Sequence, residues 1–418
     1  MVGTVTRRIR AKVDYLAFVG AREWPVLVSL AGVALGVVAF VPTAVTLVIS
    51  VVAFVLGLLT LWRDAHSLRT RWSGYRFTTI IAPFPLDEIP APKTYPDAKY
   101  LVFPNRGTAL VSDAMDKWVA ENEIQFTVAD EPYRLPVDLK ATAPHVLPVM
   151  TRGRVVFNGH IVGMHGEPLP AIGRNPAPIR LHRARFFDAV CSNELGTLRI
   201  TSKNNGKVYD LRREELVDDS GQLRTLSSSN LADLVGISTI AMTNDGKLVV
   251  VEQSGRNSAS PLLLAPSGSG SFEPKDLYTG SGGRHGSLQA AIKAAMEREL
   301  SEETGISNAK ILRTRVIGFA RWMERGAKPE FFGLTTLSID SAAATSGDGI
   351  HGVEHLYSDG LQVFDLDLVA LGQELASGGA LLESPSLPVE LRDVASLPLL
   401  LNIRAAALWL QDNKTGLA

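Results

Sequence analysis

The chain has 418 residues, enough for two or three domains of ordinary size. Lys and Arg number 42 against 43 Asp and Glu, so a net charge of -1 excludes the bulk basicity that draws a whole chain to nucleic acid, and no specific nucleic-acid partner is indicated. Cys191 is the single cysteine, which excludes an internal disulfide framework and fits a reducing compartment; beside the apolar "FFDAV" run it reads as a buried, inert thiol.

The basic segment 1–23 leads into two runs without a charged side chain, 25–41 and 43–61, separated by Pro42. One continuous helix over both would be roughly 55 Å long, too long for a single span, whereas each half approaches the ~20 apolar residues a span needs. The pattern predicts a transmembrane hairpin over 24–62, bracketed by Trp24 and Trp62, with the lipid bilayer as a partner. Arginines and lysines flank both outer ends (Arg7, Arg8, Arg10, Lys12 and Arg22 before, Arg63, Arg69, Arg71 and Arg76 after), and the turn carries no charge. The positive-inside rule then gives a two-pass protein of the cell (inner) membrane with both termini cytoplasmic.

Residues 63–100 form a basic flank and a proline-rich stretch that reads as an extended, semi-rigid linker. Residues 101–230 read as an accessory α+β region, with strand material in "RGRVVFNGHIVGMHG", a turn at "NNGK" and a helix in "SDAMDKWVAENEI". Within it, Arg174, Arg180, Arg183 and Arg185 stand beside aromatics. Arg183 and Arg185 share one face if the segment is a strand, and could fork onto a substrate phosphate or acidic headgroups; a solvated face is the plainer reading.

From 231 the pattern sharpens. Two β-rich runs flank Asn244-Asp245-Gly246, a hairpin signal. After a Ser/Gly/Pro-rich loop comes "SLQAAIKAAMERELSEET", a helix with Ser287 as N-cap and Gly305 as its stop. "RVIGFARWM", "EFFGLTTLSI" and "GLQVFDLD" read as strands, and "LPLLLNIRAAALWLQDN" as a closing helix. The segment 231–412 is therefore expected to be a mixed β-sheet with flanking helices.

The motif "RELSEETGI", residues 298–306, puts Glu299, Glu302 and Glu303 on one helix side at i, i+3 and i+4. Like charges so placed repel by a few tenths of a kcal/mol per pair, and a bound cation would reverse that. The motif resembles the second half of the Nudix box, and the order of strands and helices around it is similar to a Nudix domain. Its five fixed residues match by chance on the order of once per million windows. The resemblance implies that Glu299, Glu302 and Glu303 hold Mg²⁺ or Mn²⁺ against a substrate diphosphate, that Glu302 and Glu303 serve catalysis, and that Arg298 braces them. Carboxylate oxygens suit such ions, which neutralise a diphosphate and acidify a bound water. The plainer reading is a solvated acidic face with Arg298 paired to Glu302.

The first half of the box departs from the family: the positions of its glycine and early glutamate are Arg284 and Ala290, with Gly282-Gly283 one place early. Glu330, in "KPEFFG", is a candidate base or extra ligand from outside the motif, or an ordinary turn residue. "HGVEH" at 351–355 spells an inverted zinc-protease motif, but in a glycine-rich loop that cannot set both histidines on one helix face. His160 and His165 have a spacing that suits neither one helix face nor one strand face. "GSGGRHGS" lacks the Gly-Lys-Ser/Thr end of a phosphate loop. Two functions follow as expectations. One is a membrane-tethered hydrolase of a nucleoside diphosphate linked to another group. The other is a membrane signalling or anti-phage defence effector that senses a nucleotide-type small molecule with little catalysis. A homo-oligomer is compatible with either.

Overall fold

The computed structural model describes residues 9–10, 12–15, 17, 51, 54–55, 57–64, 66, 75–79, 86–150, 157–170, 176–203, 205–210, 214–253, 263–346 and 358–413. The chain divides into two compact units. One comprises 1–80, 136–158 and 198–210, the other 81–135, 159–197 and 211–418.

In the first unit, strands β1 (Tyr75–Thr79), β7 (Leu198–Ser202) and β8 (Val208–Asp210) form an antiparallel sheet in the order β1-β7-β8. The turn between the last two holds Gly206 at φ 70, a conformation glycine adopts without a Cβ penalty. A helix, Val137–Met150, accompanies the sheet.

The expected membrane hairpin meets this unit, and here the sequence reading is corrected. Residues 25–41 lie outside the described residues, as does much of 43–61. Among the described residues no helix is long and apolar enough to cross a membrane. The described residues of that region, 51, 54–55, 57–64 and 66, are helical, and Arg63 pairs with Asp64 at 3.2 Å. The hairpin over 24–62 in the fold class, the lipid-bilayer partner, the two-pass inner-membrane location and the tether in both functional expectations therefore have no spanning helix among the described residues to rest on.

The second unit is built on a nine-stranded sheet. Its strands are β2 (Lys99–Phe103), β3 (Gly107–Val111), β9 (Gly236–Met242), β10 (Lys247–Gln253), β11 (Leu264–Ala265), β12 (Gly268–Ser271), β13 (Ile311–Trp322), β14 (Lys328–Leu337) and β15 (Ser358–Asp365). The order is β11-β10-β9-β14-β13-β3-β2, with β12 also on β9 and β15 on β10. The β9–β14 pair is parallel and the other pairs are antiparallel. Asn244-Asp245-Gly246 closes the β9–β10 hairpin, with Gly246 at φ 78. A smaller sheet, β4 (Phe126–Val128), β6 (Ile179–Arg185) and β5 (His160–His165), runs in the order β4-β6-β5. In the proline-rich stretch read as a linker, Leu86, Ile89 and Tyr95 are buried.

Strand alternation sorts the core onto two faces of the large sheet. Ile240, Leu248, Val250, Phe332 and Leu334 pack with Leu399, Leu400 and Ile403 of the C-terminal helix Leu397–Asp412. Ala241, Val249 and Leu337 pack on the opposite face with Leu300 of the acidic helix Leu288–Thr304. Ser287 caps that helix, its Oγ accepting from the Ala290 N–H at 3.3 Å, and Gly305 ends it at φ 74.

Candidate functional site

The acidic helix lies so close to strand β12, whose sequence is Gly-Ser-Gly-Ser, that a side chain could not be fitted between them. A Cβ on Gly268 would run into the backbone of Leu300, and one on Gly270 into the carboxylate of Glu299. This approach lets Glu303 Oε2 accept from the Ser269 N–H at 2.8 Å.

Arg298 ties the same helix to its surroundings. Its Nε and Nη2 donate to the two carboxylate oxygens of Asp276, both at 2.8 Å, and Nη2 also reaches the Ser271 carbonyl at 3.4 Å. Nη1 donates to Glu299 Oε1 at 2.8 Å and to Glu302 Oε2 at 3.0 Å. All five guanidinium N–H groups are thereby used. Burial works against the Arg298 charge, but Asp276, Glu299 and Glu302 outweigh it and raise the pKa above the ordinary arginine value.

On the inner side of the helix, Glu303 faces a cavity of about 190 Å³. Ser269, Gly270 and Ser271 of β12 line it, as do Trp322, Arg325, Lys328 and Glu330 of the β13–β14 hairpin, and Gln253, Ser396 and Pro398. Lys328 and Glu330 are two residues apart on β14, hence on one face, and their buried side chains form an ion pair. Burial pushes the Lys328 ammonium below the ordinary lysine value, against the pull of Glu330. Arg325 pairs with Glu194 and lies 5.1 Å over the Trp322 ring. Glu330 stands opposite Gly236 in the parallel β9–β14 register, and a Cβ at Gly236 would collide with its carboxylate.

The structure thus brings Glu303 and Glu330 to one cavity and turns the other box residues elsewhere. Glu299 is buried against Arg298 and Gly270. The Glu302 side chain is 42% exposed and shared between Arg298 and Lys275. Arg183 and Arg185 are exposed on the smaller sheet and line no part of this cavity. Arg183 donates to the Asp130 carbonyl at 3.0 Å, and the Arg185 N–H to Asp188 at the start of a short helix. Arg174 and the 351–355 histidine motif lie outside the described residues.

Among the described residues no group of three or more His, Cys, Asp or Glu side chains stands together as a metal site. Glu303 and Glu330 are nevertheless two hard oxygen donors on one cavity. Mg²⁺ is commonly held by one or two carboxylates plus phosphate oxygens, so this pair fits an ion shared with a phosphorylated ligand.

Asp276, Lys328, Arg325 and Ser396 have no part in the sequence-level site. Asp276 sits in a turn with no periodic signal, 22 residues before its arginine. Lys328 carried a usable signal, because its i, i+2 spacing from Glu330 on a strand puts both on one face.

No protein-family model matches the chain, and no curated protein matches it. Among solved structures, the DR0079 protein of Deinococcus radiodurans aligns with 17% identity over 40% of this chain and 90% of its own, at a TM-score of 0.22. A MutT protein from Methanosarcina mazei Go1 aligns with 13% identity over 44% of this chain and 96% of its own, at a TM-score of 0.24. Both scores are low, and neither alignment assigns a fold or an activity to this chain. The expectation of a Nudix domain fused to a transmembrane hairpin is corrected on both counts: no family model matches, and among the described residues no helix is long and apolar enough to cross a membrane.

Proposed function

We propose that the second unit hydrolyses a phosphoanhydride, as in a nucleoside diphosphate linked to another group, with the diphosphate entering the cavity shared by Glu303 and Glu330. The observation that supports this reading is that shared cavity: a box glutamate and a glutamate from a separate strand line it together with a buried lysine. Glu303 and Glu330 are the residues to hold Mg²⁺ or Mn²⁺, which when bound supplies charge neutralisation and an acidified water. The chain does the positioning. The Ser269 N–H fixes Glu303 Oε2, and the Lys328 ammonium offsets the Glu330 charge while offering N–H donors to phosphate oxygens. Arg298 takes Glu299 and Glu302 out of the cavity and ties the helix to Asp276.

The test is a screen of nucleoside diphosphate conjugates against the full chain with Mg²⁺ or Mn²⁺, reading products by ion-exchange chromatography. Glu303→Gln and Glu330→Gln should each lower turnover by at least about 100-fold, with unchanged circular dichroism. Absence of turnover for every conjugate, or full turnover in both variants, overturns the proposal.

A further inference from the structure

The cavity has a second wall that the hydrolytic reading leaves unused, where the C-terminal helix begins. Ser396 is the N-cap of the helix Leu397–Asp412, and Ser396 and Pro398 both line the cavity. N-cap serines ordinarily turn the hydroxyl back onto an N–H of the first turn, but Ser396 makes no such bond. Its own N–H goes to the Leu264 carbonyl at 2.8 Å, and its Oγ, on a residue 1% exposed, has no hydrogen-bond partner among the described residues. Gln253 on the same cavity is 7% exposed, and its Oε1 is likewise without a partner. Rotated by 180°, that amide would present Nε2 instead.

Buried polar atoms left unpaired are costly, and two on one cavity point to a ligand that satisfies them. The sign of that ligand follows from the surroundings. A helix N-terminus carries about half a positive charge; in this one Pro398 has no N–H and the Leu400 N–H donates to the Ser396 carbonyl at 3.0 Å, so the backbone offers fewer free donors than usual. Lys328 and Arg325 add two cationic side chains to the same cavity, paired with Glu330 and Glu194, and stand there beside the carboxylates of Glu303 and Glu330. Arg325 lies 5.1 Å over the Trp322 ring, and a Cβ at Gly107 would meet the Glu324 carboxylate, Trp322 and Leu397 together.

We infer that the start of the C-terminal helix, with Ser396, is an anion subsite that takes a phosphoryl group of the ligand. The subsite rests on the hydrolytic reading for its place in catalysis and deepens it. The substrate presents two phosphoryl groups, one toward Glu303 and Glu330 and the other toward Ser396 and Lys328. Selection is then for diphosphates over molecules with a single phosphate.

The experiment uses the full chain with inorganic pyrophosphate and inorganic phosphate as probes, in chelator at low salt, read by titration calorimetry. Ser396→Ala removes a hydroxyl that bonds nothing in the fold, so the melting temperature should stay within about 1–2 °C. Pyrophosphate binding should weaken by about 3- to 10-fold, the worth of one hydrogen bond. Ser396→Asp supplies a strong N-cap that keeps the helix start but places a negative charge in the subsite, and it should abolish pyrophosphate binding. Glu303→Gln should leave binding intact or tighten it. Pyrophosphate that binds no better than phosphate, or binds Ser396→Asp as well as wild type, overturns the subsite. The two readings separate cleanly. Hydrolysis with the same KM in wild type and Ser396→Ala removes the subsite and leaves the hydrolase, whereas Ser396-dependent binding with no turnover removes the hydrolase and leaves the subsite.

Discussion

Asp276→Ala tests whether the acidic helix is braced by its own residues or by the turn it docks against. In the structure Arg298 makes its paired contacts, two at 2.8 Å, to Asp276, whose side chain is 4% exposed; that of Arg298 is 16% exposed. Removing one member of a buried, hydrogen-bonded ion pair typically costs 3–5 kcal/mol, because the other charge stays buried. Arg298 keeps Glu299 and Glu302 as acceptors, which places the expected cost near the lower end, about 3 kcal/mol. The helix's internal Arg298–Glu302 pair is half exposed at i, i+4, so Glu302→Ala should cost no more than about 0.5 kcal/mol. Amide hydrogen exchange over 288–304 reads the local opening free energy in the full chain. A Glu302→Ala cost equal to that of Asp276→Ala, or an Asp276→Ala cost under about 1 kcal/mol, would refute the bracing role of Asp276.

Two further outcomes follow from buried charges. Glu330→Ala leaves Lys328 buried without its acid, which should cost about 3–5 kcal/mol by urea denaturation; adding Lys328→Met should recover most of that. Asp116 accepts from the Phe319 N–H at 2.8 Å and lies 3.7 Å from Arg404, yet burial pushes its carboxyl up to about 7. The folded state therefore holds this proton more tightly than the unfolded chain, whose carboxyl titrates near 3.8. Stability from this group is full below the unfolded value and is lost as pH rises from about 4 to about 7, by up to about 1.4 kcal/mol per unit. Asp116→Asn should remove that slope in a pH series of melting temperatures, and a slope unchanged from wild type would show that the carboxyl titrates normally.

Much of the second unit can be read from the sequence where local chemistry decides it. Asn244-Asp245-Gly246 signals a hairpin because Gly246 accepts the φ of 78 that the turn requires. The acidic helix shows its length because Ser287 and Gly305 punctuate it. Strands β2 and β3 are five residues each, too short for a period to stand out, and their place beside β13 is decided by long-range pairing. The site divides the same way. The glutamates are visible at helical spacing, but Asp276 reaches Arg298 only through the docking of a turn. Glu330 reaches the cavity only through the β9–β14 register.

Gly236 offers a control that none of the charged residues can. Because Glu330 and the Lys328 ammonium lie over its bare Cα, a single methyl group at 236 would displace the ion pair while leaving every ionisable side chain of the cavity in the sequence. Replacing Glu330 itself changes charge, shape and the partner of Lys328 together. A Gly236→Ala chain separates where the Lys328–Glu330 pair stands from whether its charges are present, so position and charge become independently adjustable quantities in this pocket.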